Sequence, residues 1–230
     1  MSVRRTGDTN FKCAKSKLLG AESASGECLA FCPRRRKDKG KHPCQQEPYW
    51  FISVDEPGAT LAGMRVLGID CGTECTGYGV VELDGRDKLT CICFGGIKLS
   101  ARDPLPQRLA TIFERLSCLI QQHRPDRVAI EDVFYAVNVK AALKLGQVRG
   151  VAMLAASSQR IEVGEYAPLT IKSAVVGYGR AEKGQVQLMV ARLLELAEIP
   201  QPADAADALA IAICDLHTSA TLRRQNAVAR

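Results

Sequence analysis

Met64-Arg65-Val66-Leu67-Gly68-Ile69-Asp70-Cys71-Gly72-Thr73 decides how the rest of the chain is read. An apolar run that ends in an acid and then in Cys-Gly-Thr predicts a buried strand stopped by a turn. A carboxylate at the end of such a strand is costly to desolvate unless something positive meets it. The same ending recurs at Val128-Ala129-Ile130-Glu131. Asp204 and Asp207 open an Ala-rich helix three positions apart, on one of its faces. An α/β sheet can deliver Asp70, Glu131, Asp204 and Asp207 to one point, and the economical reading is a divalent-metal site used for phosphoryl chemistry.

Taken singly, each acid has a plainer explanation. Asp70 could cap a turn, Asp204 could be an N-cap after Pro202, and Asp207 could favour the helix N-terminal dipole. Glu131 is harder to explain that way, because it is followed by Asp132 at the end of a buried strand. The joint pattern is what carries weight. Clustered carboxylates repel, so at least one pKa should rise without metal, and a hard cation such as Mg²⁺ relieves the repulsion.

Downstream, strands are expected near Tyr78-Gly79-Val80-Val81 and over Leu89–Lys98, completing an antiparallel meander with the first. Leu109, Ile112, Phe113, Leu116 and Ile120 recur at helical spacing within a helix from about Leu105 to Gln122. A strand over 127–131, a helix over Asn138–Ser158 and a strand near Ile161–Tyr166 follow, then helices near 168–176, 182–197 and 204–220. This order predicts an α/β fold with a mixed five-stranded sheet and helices packed on it. The domain is expected over 64–220, with a flexible tail over 221–230.

Residues 1–63 show little periodicity and many Gly, Pro, Ser and charged residues, and are expected to be disordered. Trp50-Phe51-Ile52 is the local apolar patch there, and the abrupt change at Met64 also fits a start at that methionine. The net charge of +6 is modest and concentrated around Arg34-Arg35-Arg36-Lys37, Lys39 and Lys41, so charge alone argues weakly for a nucleic-acid partner. Of ten cysteines, Cys13, Cys28, Cys32 and Cys44 lie in the N-terminal segment, with His42 two residues before Cys44, at spacings too loose for zinc knuckles, and free thiols are expected. Cys71, Cys91, Cys93, Cys118 and Cys214 read as small core or turn residues. No run approaches the roughly 20 apolar residues that span a bilayer, and no signal-peptide pattern opens the chain; the cytoplasm is expected.

Gly68-Ile69-Asp70-Cys71-Gly72-Thr73 also resembles the phosphate loop of actin-like and sugar-kinase ATPases. Those proteins duplicate their core and add subdomains, which the ~167 residues from Met64 onward are too few to hold.

Six blocks in order resemble the RuvC family of crossover junction endodeoxyribonucleases. They are Leu67-Gly68-Ile69-Asp70 with Thr76-Gly77-Tyr78-Gly79-Val80, Ala129-Ile130-Glu131-Asp132-Val133-Phe134, the stretch from Ala142 to Gly150, Val175-Val176-Gly177-Tyr178-Gly179, the stretch from Ala181 to Gln187, and that from Ala203 to Ala210. The resemblance implies a ribonuclease H-like fold with helices on both faces of the sheet. It implies that Asp70, Glu131, Asp204 and Asp207 are the catalytic acids and hold Mg²⁺, two ions per subunit. It assigns Phe134 to stacking on an unpaired base, and Lys172 and Lys183 to the neighbourhood of the scissile phosphate. Lys140, Lys144 and Arg149 fall on the helix used by the family for dimerisation and junction contact, where they would touch phosphates. His217 reads as a helix C-terminal histidine.

By the same resemblance the chain would act as a homodimer on four-way (Holliday) junction DNA, with RuvA and RuvB as partners, in recombination and repair. Cys71 stands where the family usually has proline, and Asp132 is an extra acid expected on the opposite face of its strand. A junction-binding protein that does not cut is disfavoured by the four intact acids. Another ribonuclease H-like nuclease is disfavoured by Phe134 and the lysine blocks.

Overall fold

Strand β1 (Met64–Asp70) alternates between two interiors: Val66 faces one, and Leu67 and Ile69 the other, all fully buried. That period of two is what a strand covered on both sides requires. The computed structural model describes residues 63–132 and 139–228. The expectations for residues 1–62, including those for Cys13, Cys28, Cys32, Cys44 and Trp50-Phe51-Ile52, lie outside the described residues, as does Phe134.

β1 pairs antiparallel with β2 (Cys75–Leu83), which pairs antiparallel with β3 (Leu89–Lys98). On its other side β1 pairs parallel with β4 (Arg127–Glu131), which pairs parallel with β5 (Glu162–Tyr166). The resulting order is β3-β2-β1-β4-β5, the mixed five-stranded sheet expected. Helices α1 (Leu105–His123) and α2 (Val139–Ser157) cover one face, around Leu67, Ile69, Tyr78, Ile112, Leu116 and Ala152. Helices α3 (Pro168–Val176), α4 (Lys183–Leu193) and α5 (Ala203–Val228) cover the other. Among the described residues no helix is long and apolar enough to cross a membrane, and no cysteine is in a disulfide.

The helices start and stop for local reasons. α1 opens at Pro104 and closes at Arg124, whose backbone is left-handed (φ 44°). α4 opens with a capping box in which Glu182 and Gln185 satisfy each other's backbone N–H groups. It ends at Leu193, earlier than the 197 expected, because Glu195 turns left-handed (φ 51°). α5 runs to Val228, past the 220 expected. Residues 221–228 contain neither Pro nor Gly, so nothing there interrupts the helix. Cys118, expected to be a small core or turn residue, is exposed on α1.

Two glycines set the approach of α5 to the sheet. A Cβ on Gly68 would come within 2.0 Å of the Ala208 carbonyl oxygen, and one on Gly77 within 2.0 Å of the Asp204 carbonyl oxygen. With Ala205, Ala206, Ala208 and Ala212 buried on the helix side, backbone packs nearly on backbone. This contact carries the first turn of α5 to the end of β1.

Candidate active site

Register assembles the acids. Ile69 pairs with Ile130 across β1 and β4, so the next residues, Asp70 and Glu131, finish side by side on neighbouring parallel strands. Asp70 also pairs with Gly77 of β2, over which the Asp204 backbone rests. Asp204 and Asp207 thereby arrive from the helix while Asp70 and Glu131 arrive from the sheet, and all four are half-buried. Lys183, in the first turn of α4, reaches across with its Nζ 2.5 Å from Asp207 Oδ2. Thr76 braces the turn after Asp70 by donating its hydroxyl to the Gly72 carbonyl at 3.0 Å.

The four side chains feel one another. Burial pushes the Asp70 carboxyl up to about 7, and the charges of Asp207, Glu131 and Asp204 push it the same way against the pull of Lys183. Glu131 is raised by burial and by Asp207, while Lys172 and Lys183 draw it back. Lys183 itself is raised, first by its hydrogen bond to Asp207. Two thiols flank the acids. Burial and a hydrogen bond to Asp204 push Cys75 up to about 12, and burial and Asp70 push Cys71 up to about 12. Both stay neutral at ordinary pH and so are poor metal ligands.

What remains is a set of hard oxygen donors with more negative charge than Lys183 and Lys172 offset, which is what a hard divalent cation takes. Among the described residues no three carboxylate, imidazole or thiol groups stand close enough to hold an ion as they are. The Lys183 ammonium occupies Asp207 instead, so an ion would have to draw these side chains inward.

Asp132 does point to the opposite face, where Arg149 of α2 meets it at 3.2 Å and also pairs with Glu165 of β5. Arg149, expected at DNA phosphates, is therefore mostly buried and already engaged by two acids. Lys140 is exposed and Lys144 half-buried, and both line a small recess with Thr73. His217 is not at a helix end, because α5 continues past it; its Nδ1 lies 3.1 Å from the Ala174 carbonyl, tying α5 to α3.

Other residues escaped the sequence reading. Asp215 of α5 is fully buried and meets Arg127 Nε at 3.1 Å and the Tyr166 hydroxyl at 2.8 Å, while Arg127 also pairs with Glu162 at 2.6 Å. An acid inside the apolar run from Ala208 to Leu216 was the available signal. Cys75 beside Asp204 left no sequence signal.

A mixed five-stranded sheet covered on both faces, with acids at the ends of adjacent parallel strands and on the first turn of a crossing helix, defines a ribonuclease H-like fold with a nuclease-type site. The chain matches the family model "Crossover junction endodeoxyribonuclease RuvC" over residues 66–215 and belongs to the RuvC family. The family is one of hydrolases that cut DNA, with a general dependence on a divalent metal. The crossover junction endodeoxyribonuclease RuvC of Koribacter versatilis (strain Ellin345) is 66% identical over 166 residues, covering 72% of this chain and 100% of the relative. A Thermus thermophilus RuvC structure superimposes with a TM-score of 0.64 at 34% identity, covering 69% of this chain and 96% of that one. The T. thermophilus RuvC in complex with Holliday junction substrate gives a TM-score of 0.64 at 32% identity, with the same coverage.

Proposed function

We propose that this chain resolves four-way DNA junctions in recombination and repair, as a cytoplasmic, Mg²⁺-dependent homodimer that nicks two strands of like polarity. The observation that carries it is Asp70: a carboxyl pushed toward the protonated form by burial and then by three other acids, at the meeting point of two strands and a helix. A carboxyl in such surroundings is stabilised in its charged form by a cation.

Asp70, Glu131 and Asp207 would hold the metal, two Mg²⁺ per subunit, and Asp204 would ligate or orient the attacking water. When bound, the ions supply Lewis acidity to the attacking and leaving oxygens of the phosphodiester. The chain does the rest. β1 and β4 present two carboxylates from rigid strands, and Lys183, released as Asp207 turns inward, faces a phosphate oxygen together with Lys172. Phe134 follows Glu131 closely in sequence and would stack on a base opened at the junction.

The outer face of α2 supports the dimer. Val139, Leu143 and Leu154 are 71%, 65% and 58% exposed there, with Gly146 and Gly150 facing open space between them. An apolar helix face of this kind calls for a cover, and a second copy supplies it with the two-fold symmetry that paired nicks need. By family likeness RuvA and RuvB are its partners.

The test is a synthetic four-way junction incubated with Mg²⁺ and the dimeric protein. Paired symmetric nicks, lost with EDTA and in Asp70→Asn, are expected. Junction binding without any Mg²⁺-dependent nicking would overturn the proposal.

A further inference from the structure

Asp204, Ala208, Ala212 and Asp215 fall on one stripe of α5, at spacings of four, four and three residues. The stripe rests on the sheet. Asp204 lies over Gly77, Ala208 and Ala212 over Gly68, and Asp215 over Gly164, where an added Cβ would come within 2.6 Å of Asp215 Oδ1. Between its two acids alanine meets glycine along this stripe, while beside it the Leu209 side chain seats on Gly79. The alanine–glycine contact itself gives close approach without directional bonds.

The directional polar bonds from this stripe to β4 and β5 lie at its far end. Asp215 is fully buried, accepts from the Tyr166 hydroxyl at 2.8 Å and from Arg127 Nε at 3.1 Å, and Arg127 is held in turn by Glu162. Arg127 begins β4, the strand that ends in Glu131, and Tyr166 ends the neighbouring β5. One buried carboxylate thus joins the helix bearing Asp204 and Asp207 to the strand bearing Glu131. These are directional, charge-assisted bonds out of solvent, whose geometry tolerates little displacement.

We propose that Asp215, with Arg127 and Tyr166, is a positioning group that sets the register of α5 against β4 and so the spacing of the metal-holding acids Asp207 and Asp204, about 12 and 16 Å away along the helix. It touches neither substrate nor metal and acts through Asp204, Asp207 and Glu131. The inference rests on the proposed metal-holding role of those acids. A slip of α5 along the glycine track would leave the fold intact while parting helix-borne from strand-borne donors, to the detriment of metal affinity.

The experiment is Mn²⁺ titration calorimetry on metal-free full-length protein, with thermal melts, for wild type, Tyr166→Phe, Asp215→Asn, Asp215→Ala and Asp70→Asn. Tyr166→Phe and Asp215→Asn each keep part of the bonding and are expected to stay folded while binding Mn²⁺ several-fold more weakly. Asp215→Ala, if folded, should lose roughly tenfold or more. Unchanged Mn²⁺ affinity in folded Tyr166→Phe and Asp215→Asn, whatever their melting temperatures, would make the cluster merely structural and overturn the proposal. Asp70→Asn keeps the two readings apart. Loss of Mn²⁺ binding there upholds the metal site independently of Asp215, whereas wild-type binding there would remove the site itself.

Discussion

Two acid clusters sit at opposite ends of one stripe of α5, and they are built on opposite terms. At the far end Asp215, fully buried, is met by a guanidinium and a phenol, so its burial is compensated by donors. At the near end Asp204 and Asp207 are brought against Asp70 and Glu131, and Asp70 is pushed up to about 7. Residue type does not distinguish these acids, and burial alone, which is deeper at Asp215, would penalise that one most. The partners do: donors turn a buried acid into a fastener, and other acids turn it into an unmet demand for positive charge. Lys183 on Asp207 meets that demand only in part.

The largest break in the comparison comes from removing one charge at the near end. Asp70→Asn should lower Mg²⁺-dependent cleavage at least about a thousandfold, about 4 kcal/mol of barrier, while junction binding stays the same or tightens. Gel assays of cleavage and of binding without metal read the two effects separately, and wild-type cleavage would remove Asp70 from the mechanism. Asp207→Asn should behave alike, and Asp204→Asn more mildly if it orients water.

The track between the clusters is next. Gly68→Ala would force a Cβ against the Ala208 carbonyl, lifting α5 from the sheet at about 1–3 kcal/mol of stability. Thermal melts should fall by several degrees and cleavage with them. Gly184→Ala, where nothing lies within 4 Å, should leave the melt unchanged or slightly raised. Equal melts for the two variants would contradict the close approach.

Phe134→Ala asks whether recognition is separable from either cluster. Lost stacking should remove about 1–3 kcal/mol, mainly from cleavage, with an unchanged melt. A junction already carrying unpaired bases at its centre should recover part of the rate. A collapse in melting temperature would place the ring in the core instead, where its removal costs about 3–5 kcal/mol.

The last effect is on pH dependence. Because Asp70 holds its proton to about 7 in the fold but only to about 4 when unfolded, the folded state binds more protons between those values. Stability of the metal-free protein should therefore fall as pH rises from about 4 through 7, and Glu131 acts in the same direction. Asp70→Asn should flatten this slope in melts taken across that range. Added Mg²⁺ should stabilise wild type at pH 8 more than the variant, and identical pH slopes would mean that burial and the neighbouring acids do not raise Asp70.

Much of this was legible in the sequence because it is local. The period of Ile112, Leu116 and Ile120 predicts one side of a helix, and the apolar run Val66-Leu67-Gly68-Ile69 ended by a turn predicts a strand, since each depends only on residues close in sequence. Acids that terminate apolar runs stand out for the same reason, so Asp70 and Glu131 needed no fold to be noticed. Arg127 and Asp215 are 88 positions apart, and their pairing depends on where α5 lands. Arg149, read as a phosphate contact, turned out to face two acids, because β4, β5 and α2 converge on that side of the sheet. The sequence by itself determined the elements, the order in which they alternate and the acids that end them. Tertiary structure alone decided which of those acids would meet donors and which would meet one another, because a charge is stabilised or stranded by neighbours that only folding brings within reach.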